Sequence, residues 1–256
     1  MSDLPRPILI KLLSFSWPTP SDAILRGREA IEWSNIKVKS PVLDIGCGEG
    51  KMGDVTYYNM PVIDVGIDLI PHYIDLAKDS SKYKKVLTAD ARKLPFPDKK
   101  FNTVISNSTF EHIEKSDIPA IKEVSRILKP NGKFYLTVPS ERFGELFDPG
   151  YNRRVDHFRY RSLAEWEKVL SHNGLSLLSH KYYFSVNVTP IWYKLFKIST
   201  INIFGRELWS RLRDSRFSFL IPKNLLISLM APVINSLINQ SGHGLGTWLF
   251  LEAVKK

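Results

Sequence analysis

From residue 41 to about 185 the chain alternates short Val- and Ile-rich runs with amphipathic segments, and few architectures accept that rhythm. PVLDIG and PVIDVGIDL are apolar runs of the length and composition of buried parallel strands. KVLTAD, FNTVISN and GKFYLTVP repeat the character. Between them, DIPAIKEVSRILKPNG sets Ile118, Ile121, Val124, Ile127 and Leu128 on one helical face and stops at Pro130 and Gly132. SLAEWEKVLSHNG opens on Ser162 as N-cap, with Glu165 three residues on, and ends at Asn173-Gly174. Strands alternating with helices predict a parallel sheet covered on both faces.

The flanks differ. SDAILRGREAIEWSN reads as an amphipathic helix capped by Ser21 or Asp22. Residues 186–240 interleave Trp192, Tyr193, Phe196, Trp209, Phe217 and Phe219 with Lys194, Lys197, Arg211, Arg213 and Arg216. An apolar run from Phe217 to Ile238 follows, and GTWLFLEAVKK reads as a last strand. The expected organisation is a helical segment over 1–40, a core over 41–185 plus 244–256, and a basic, apolar cap over 186–243. Charge agrees with this division. The net charge is +10, yet residues 41–180 hold 20 basic and 19 acidic side chains. Residues 181–240 hold eight basic side chains against Glu207 and Asp214. Such a patch favours an anionic partner: nucleic acid, acidic lipid or a phosphorylated substrate. The single cysteine, Cys47, excludes an internal disulfide and a cysteine-rich metal site, which fits a reducing, cytoplasmic setting. The start, MSDLPRPILIKLLSFSW, lacks the basic leader and cleavage site of a secretory signal.

The chemistry concentrates in VLDIGCGEG, residues 42–50. Glycines after a strand permit positive φ and remove the Cβ atoms that would block a ligand. A helix after such a loop offers unpaired N–H groups to a negative group. Gly46, Gly48 and Gly50 read as G-x-G-x-G, whereas Gly48, Gly50 and Gly53 satisfy the dinucleotide spacing G-x-G-x-x-G. The second register starts late for a dinucleotide turn, and Glu49 is a poor neighbour for a pyrophosphate. Asp44 could instead hold a cationic amino group, as on a nucleoside with an amino-acid tail.

VLDIGCGEG resembles the first motif of the class I S-adenosylmethionine-dependent methyltransferases, of the type 11 kind. VGIDL, TADARKLPFPDKKFNTVISNSTFEHI and EVSRILKPNGKFYLTVPS are similar to that family's later strands, in order, over residues 40–180. The resemblance implies an α/β, Rossmann-like sheet of seven mostly parallel strands, helices on both faces, and a helical insertion before the last strand. It implies S-adenosyl-L-methionine as cofactor. Asp44, Gly46, Cys47, Gly48 and Gly50 would meet its methionine part. Asp68 with Leu69 would take the ribose hydroxyls, Asp90 and Ala91 the adenine, and Asn107 would line the methyl-donor site.

Methyl transfer from a sulfonium needs positioning, and a general base only where the acceptor must lose a proton. Glu111 and His112 after the fourth strand, and His157 further on, are the candidate catalytic residues. Quinone-biosynthesis O-methyltransferases with similar cores carry Glu-x-x-Glu-His here and can use a divalent metal. Ser108 stands at the first of those positions, leaving Glu111 and His112, so no metal is expected. SNSTFEH replaces the Asn/Asp-Pro-Pro-Tyr/Phe stretch of exocyclic-amine methyltransferases, which argues against DNA adenine chemistry. The acceptor is expected to be small or lipid-linked and methylated at oxygen or carbon. Segment 186–240 would cover it or lie on an anionic membrane surface. Pro222, Lys223, Asn224, Pro232 and Asn235 make it a poor spanning helix. RNA methylation and a cofactor-binding module without catalysis are the alternatives; nucleic acid is disfavoured because no separate recognition domain is visible.

Overall fold

A computed structural model describes residues 3–16, 20–146, 151, 155–203, 206–207, 223–242 and 245–256. Trp209, Phe217, Phe219, Pro222, Arg211, Arg213, Asp214 and Arg216, on which much of the basic, aromatic reading of the cap rests, lie outside the described residues.

The sheet has seven strands: β1 (Val42–Ile45), β2 (Val65–Asp68), β3 (Val86–Thr88), β4 (Phe101–Asn107), β5 (Leu128–Pro139), β6 (Leu175–Ser185) and β9 (Gly246–Lys255). Its order is β3-β2-β1-β4-β5-β9-β6. The pairs β3/β2, β2/β1, β1/β4 and β4/β5 are parallel. Strand β9 runs antiparallel to β5, with Leu136 opposite Leu251. Every residue of β1 is buried, so its run lacks the polar alternation of a one-faced strand. The crossovers are α3 (Gly53–Thr56), α4 (Pro71–Ala77) and α5 (Ile118–Ile127); α6 (Glu141–Glu145) and α7 (Leu163–His172) follow β5. Helix α5 places Ile121, Val124 and Ile127 in one cluster with Leu43, Val104, Phe134 and Leu251. Chain order reverses between β1 and β4, the switch point where open α/β sheets bind ligands at their carboxyl ends.

Two boundaries differ from the sequence reading. Helix α5 ends at Ile127, three residues before Pro130, because Leu128 already pairs with Phe101 across the sheet. Helix α2 (Pro20–Ser34) begins one residue before Ser21, so Ser21 and Asp22 occupy its first turn and do not cap it. The α7 boundary agrees with the sequence: the Ser162 hydroxyl accepts from Glu165 N, and the Glu165 carboxylate accepts from Ser162 N.

The chain divides into two compact units. One comprises Ile36–Asp54, Asn59–Tyr183 and Thr247–Lys256, and holds most of the sheet. The other comprises Met1–Asn35, Val55–Tyr58 and Phe184–Gly246. In the second unit, α1 (Arg6–Phe15) and α2 pack against α9 (Lys223–Gln240), and α2 also meets α8 (Thr189–Ser199). A two-residue hairpin, β7 (Asn202–Ile203) and β8 (Arg206–Glu207), follows α8. Buried within α2, Arg28 pairs with Glu32. Among the described residues no helix is long and apolar enough to cross a membrane.

Candidate active site

The turn after β1 is tied to β2: Gly46 N and Cys47 N both donate to Ile67 O, at 2.8 and 2.9 Å. Gly46 has φ +85°, and a Cβ there would collide with the side chain of Thr109, which follows β4. The loops after β1 and β4 therefore touch at the switch point. Gly48 has φ +55° with no atom within 4 Å of an added Cβ, so its backbone faces open space. Its N–H donates to Asp68 Oδ2 at 3.0 Å, while Ile70 N donates to Oδ1 at 3.0 Å. Two backbone donors thus fix the Asp68 carboxylate at the end of β2, and each oxygen has a lone pair left for a hydroxyl. This open backbone and fixed carboxylate fit the ribose and amino-acid tail of an S-adenosyl ligand.

The other expected cofactor residues are placed as follows. Asp44 is buried and accepts from the Tyr83 hydroxyl at 2.7 Å. The same hydroxyl lies 2.5 Å from where a Cβ on Gly53 would stand, so Tyr83 accounts for that glycine. Sequence reasoning missed Tyr83, which is 39 residues from its partner. Cys47 is buried; burial first, then Asp44 and Asp68, pushes its thiol well above the ordinary range, which keeps it protonated and unreactive. Leu69 is 59% exposed. Ala91 packs against the core cluster. Asn107 Oδ1 accepts from the Thr137 hydroxyl at 2.6 Å. Asp90 is engaged by Arg92, whose Nε and Nη2 donate at 3.0 and 2.8 Å, and that hydrogen bonding holds the carboxyl below its usual range.

A second cluster follows β4. Ser108 takes φ +51°, uncommon for a residue with a Cβ, and the chain then forms a single 3-10 turn, Phe110–His112. Glu111 is 2% exposed, and its carbonyl accepts from Phe158 N at 2.9 Å. The His112 and His157 rings meet edge to face at 4.8 Å. One donor atom from each of Glu111, His112 and His157 lies within 4.8 Å of the others. His112 Nδ1 is 3.1 Å from Asp156 O, and His157 Nδ1 is 3.0 Å from the Tyr160 hydroxyl. Burial first, then Glu111, raises the Tyr160 hydroxyl's pKa, so it stays neutral. Arg161 grips Asp117, with Nη2 2.7 Å from Oδ1, and Arg159 donates to the carbonyls of Ile113 and Lys115. These bonds bring His157 beside a turn 45 residues earlier in the chain, which no local spacing in the sequence signals.

A protein-family model described as "Methyltransferase domain" matches residues 43–136. The chain is 29% identical over 157 residues to an uncharacterized methyltransferase, YcgJ, of Bacillus subtilis (strain 168), covering 57% of this chain and 61% of that one. It is 28% identical over 145 residues to a fatty-acid O-methyltransferase of Mycolicibacterium smegmatis, covering 55% and 45%. The chain thus spans less than two thirds of either relative. Among solved structures, a SAM-dependent methyltransferase from Thermotoga maritima superposes with a TM-score of 0.59, covering 95% of this chain and 94% of that one at 16% identity. That likeness shows the fold.

Proposed function

As the chain carries a class I S-adenosylmethionine-dependent methyltransferase domain, we propose that it transfers a methyl group to an oxygen or carbon of a small or lipid-linked acceptor. The observation that carries this reading is the loop at the switch point, where Gly48 leaves its backbone open beside a carboxylate fixed by two N–H groups. Asp68, with Leu69 beside it, would accept from both ribose hydroxyls. Asp44, Gly46, Cys47, Gly48 and Gly50 would surround the methionine part. Asp90, with Arg92 turned aside, and Ala91 would hold the adenine, and Asn107 would border the reacting centre. S-adenosylmethionine, when bound, supplies an electrophilic methyl group on a sulfonium. The turn at Glu111 and His112, with His157, is where the acceptor would be oriented and its proton taken.

Calorimetry with S-adenosylhomocysteine and NAD on the wild type and on Asp68→Ala tests this. A hydrogen bond to a charged group is worth about 1.5–3 kcal/mol, so the variant should bind S-adenosylhomocysteine at least about tenfold more weakly. NAD should not bind. Undetectable S-adenosylhomocysteine binding by the wild type would overturn the reading.

The lipid-linked acceptor has its own support. Leu225, Leu229 and Val233, four residues apart on α9, are 54%, 63% and 61% exposed. On α8, exposed Lys194 and Lys197 lie between exposed Ile191 and Ile198. Apolar side chains beside ammonium groups suit an anionic bilayer surface. The chain should sediment with anionic vesicles and not with neutral ones, and Leu229→Glu should weaken that. Equal recovery with both vesicle types would exclude it.

A further inference from the structure

We propose that Glu111, His112 and His157 together bind one first-row divalent cation of the Zn(II) type and leave it an open position toward the acceptor. The sequence left Glu111 and His112 as too few ligands for a metal; the fold adds His157, and the three donor atoms lie within 4.8 Å of one another. Tetrahedral bonds of about 2.0–2.1 Å to nitrogen and oxygen set ligand atoms roughly 3.4 Å apart, so a modest inward rotation completes the site. His112 is exposed, and its ring already lies edge to face on that of His157 at 4.8 Å. His157 comes from a different segment, and Arg159 and Arg161 tie that segment to residues 113–117. The scaffold is therefore stitched together around the cluster.

The ring orientations agree with ligation. Metal-bound imidazoles usually donate their second N–H to a carbonyl or another oxygen, which fixes the tautomer. Here His112 Nδ1 lies 3.1 Å from the Asp156 carbonyl, and His157 Nδ1 lies 3.0 Å from the Tyr160 oxygen. Protonation of each Nδ1 toward these oxygens would leave the lone pair on Nε2 for the cation. Two neutral imidazoles and one carboxylate make a set of charge −1, which suits a borderline dication and not Mg²⁺ or Ca²⁺, whose ligands are oxygens. Three protein ligands and one open position are the pattern of a catalytic rather than a structural zinc site. A hydroxyl entering that position would have its acidity raised by the cation and lose its proton to water, so the three residues would act on that proton through the cation and not as a free base. This use of the site rests on the methyltransferase reading; the cation binding does not.

The test titrates Zn²⁺, and Co²⁺ as a coloured substitute, into tag-free full-length protein stripped with chelator. One equivalent should bind. His112→Ala, His157→Ala and Glu111→Gln should each weaken it by more than the about 10–100-fold that loss of an outer hydrogen-bond partner costs. Near-UV circular dichroism and thermal unfolding check each variant's fold, and His157→Gln replaces His157→Ala if that variant does not fold. Unchanged Zn²⁺ affinity in a folded His157 variant would overturn the proposal, as would no binding by the wild type or equal binding of Mg²⁺. Zn²⁺ binding without S-adenosylhomocysteine binding would overturn the methyltransferase reading and leave the cation site standing. The reverse pair of results would overturn only the cation site.

Discussion

Gly46→Ala should be far more damaging than Gly48→Ala, although both glycines have positive φ and lie two residues apart. At Gly48 an added Cβ meets nothing within 4 Å, so the cost is that of a left-handed residue with a Cβ, about 1–2 kcal/mol. At Gly46 the same backbone cost applies at φ +85°. In addition the new Cβ would overlap the Thr109 hydroxyl oxygen and stand 2.6 Å from Cγ2 and 2.8 Å from Cβ. Rotating Thr109 moves its Oγ1 and Cγ2 but not its Cβ, so the loops after β1 and β4 must separate. Overpacking of that kind costs about 1–3 kcal/mol. The sum for Gly46→Ala is about 2–5 kcal/mol, a fall in Tm of roughly 5–20 °C for a chain of this size. Thermal unfolding of both variants, and of Gly46→Ala combined with Thr109→Gly, measures it. The double variant should recover about 1–3 kcal/mol of coupling. Equal Tm values for the two glycine variants, or no recovery in the double variant, would refute the assignment of Gly46 to a close approach between the loops. The ligand consequence runs the other way. Gly48→Ala should fold and yet lose S-adenosylhomocysteine, because its Cβ occupies space that the backbone keeps clear.

Arg28→Leu takes the buried guanidinium away from Glu32, itself 5% exposed, and should cost about 3–5 kcal/mol, whereas Arg28→Leu with Glu32→Leu should recover most of it; a double variant no more stable than the single one on thermal unfolding would refute this. The Arg126 guanidinium holds the Glu123 carboxyl below its ordinary 4.5, with Nε 2.7 Å from Oε1. A depressed folded-state value stabilises above the unfolded pKa and is lost as pH falls through the folded one. Glu123→Gln should therefore lower the urea midpoint at neutral pH and approach the wild type below pH 4.5; a difference that does not shrink would mean that charge is not its source.

What the sequence disclosed and what it hid separate along physical lines. Val42–Ile45 is legible because a strand buried on both faces is apolar throughout, and α7 because its capping box is written in Ser162 and Glu165. The glycine loop is legible because positive φ at Gly46, Gly48 and Gly50 restricts residue type strongly. The end of α5 was misplaced because Pro130 is a local stop, while the real one is Leu128 pairing with Phe101 in another strand. The same rule hid Tyr83 on Asp44 and the capture of Asp90 by Arg92: a side-chain partner leaves no periodic trace in the chain.

That contrast bears on specificity. The proposed cofactor side is made largely of backbone, from Gly46 to Gly50 and the N–H groups that hold Asp68, so it would need little beyond glycines and one carboxylate. The Glu111 side is made of side chains from two segments held by Asp117, Arg159 and Arg161. Loops on a fixed scaffold can change their side chains without disturbing the sheet, so the proposed function puts acceptor choice there. Asp117 then matters for an acceptor it does not touch. Losing it would release Arg161, and the His157 segment would then be held by Arg159 on the carbonyls of Ile113 and Lys115 and by Phe158 N on Glu111 O, a looser seat for His157 against His112. In Asp117→Ala, acceptor and cation binding should therefore weaken while S-adenosylhomocysteine binding at the Gly48–Asp68 cradle stays unchanged; equal losses on both sides would refute the independence of the two halves.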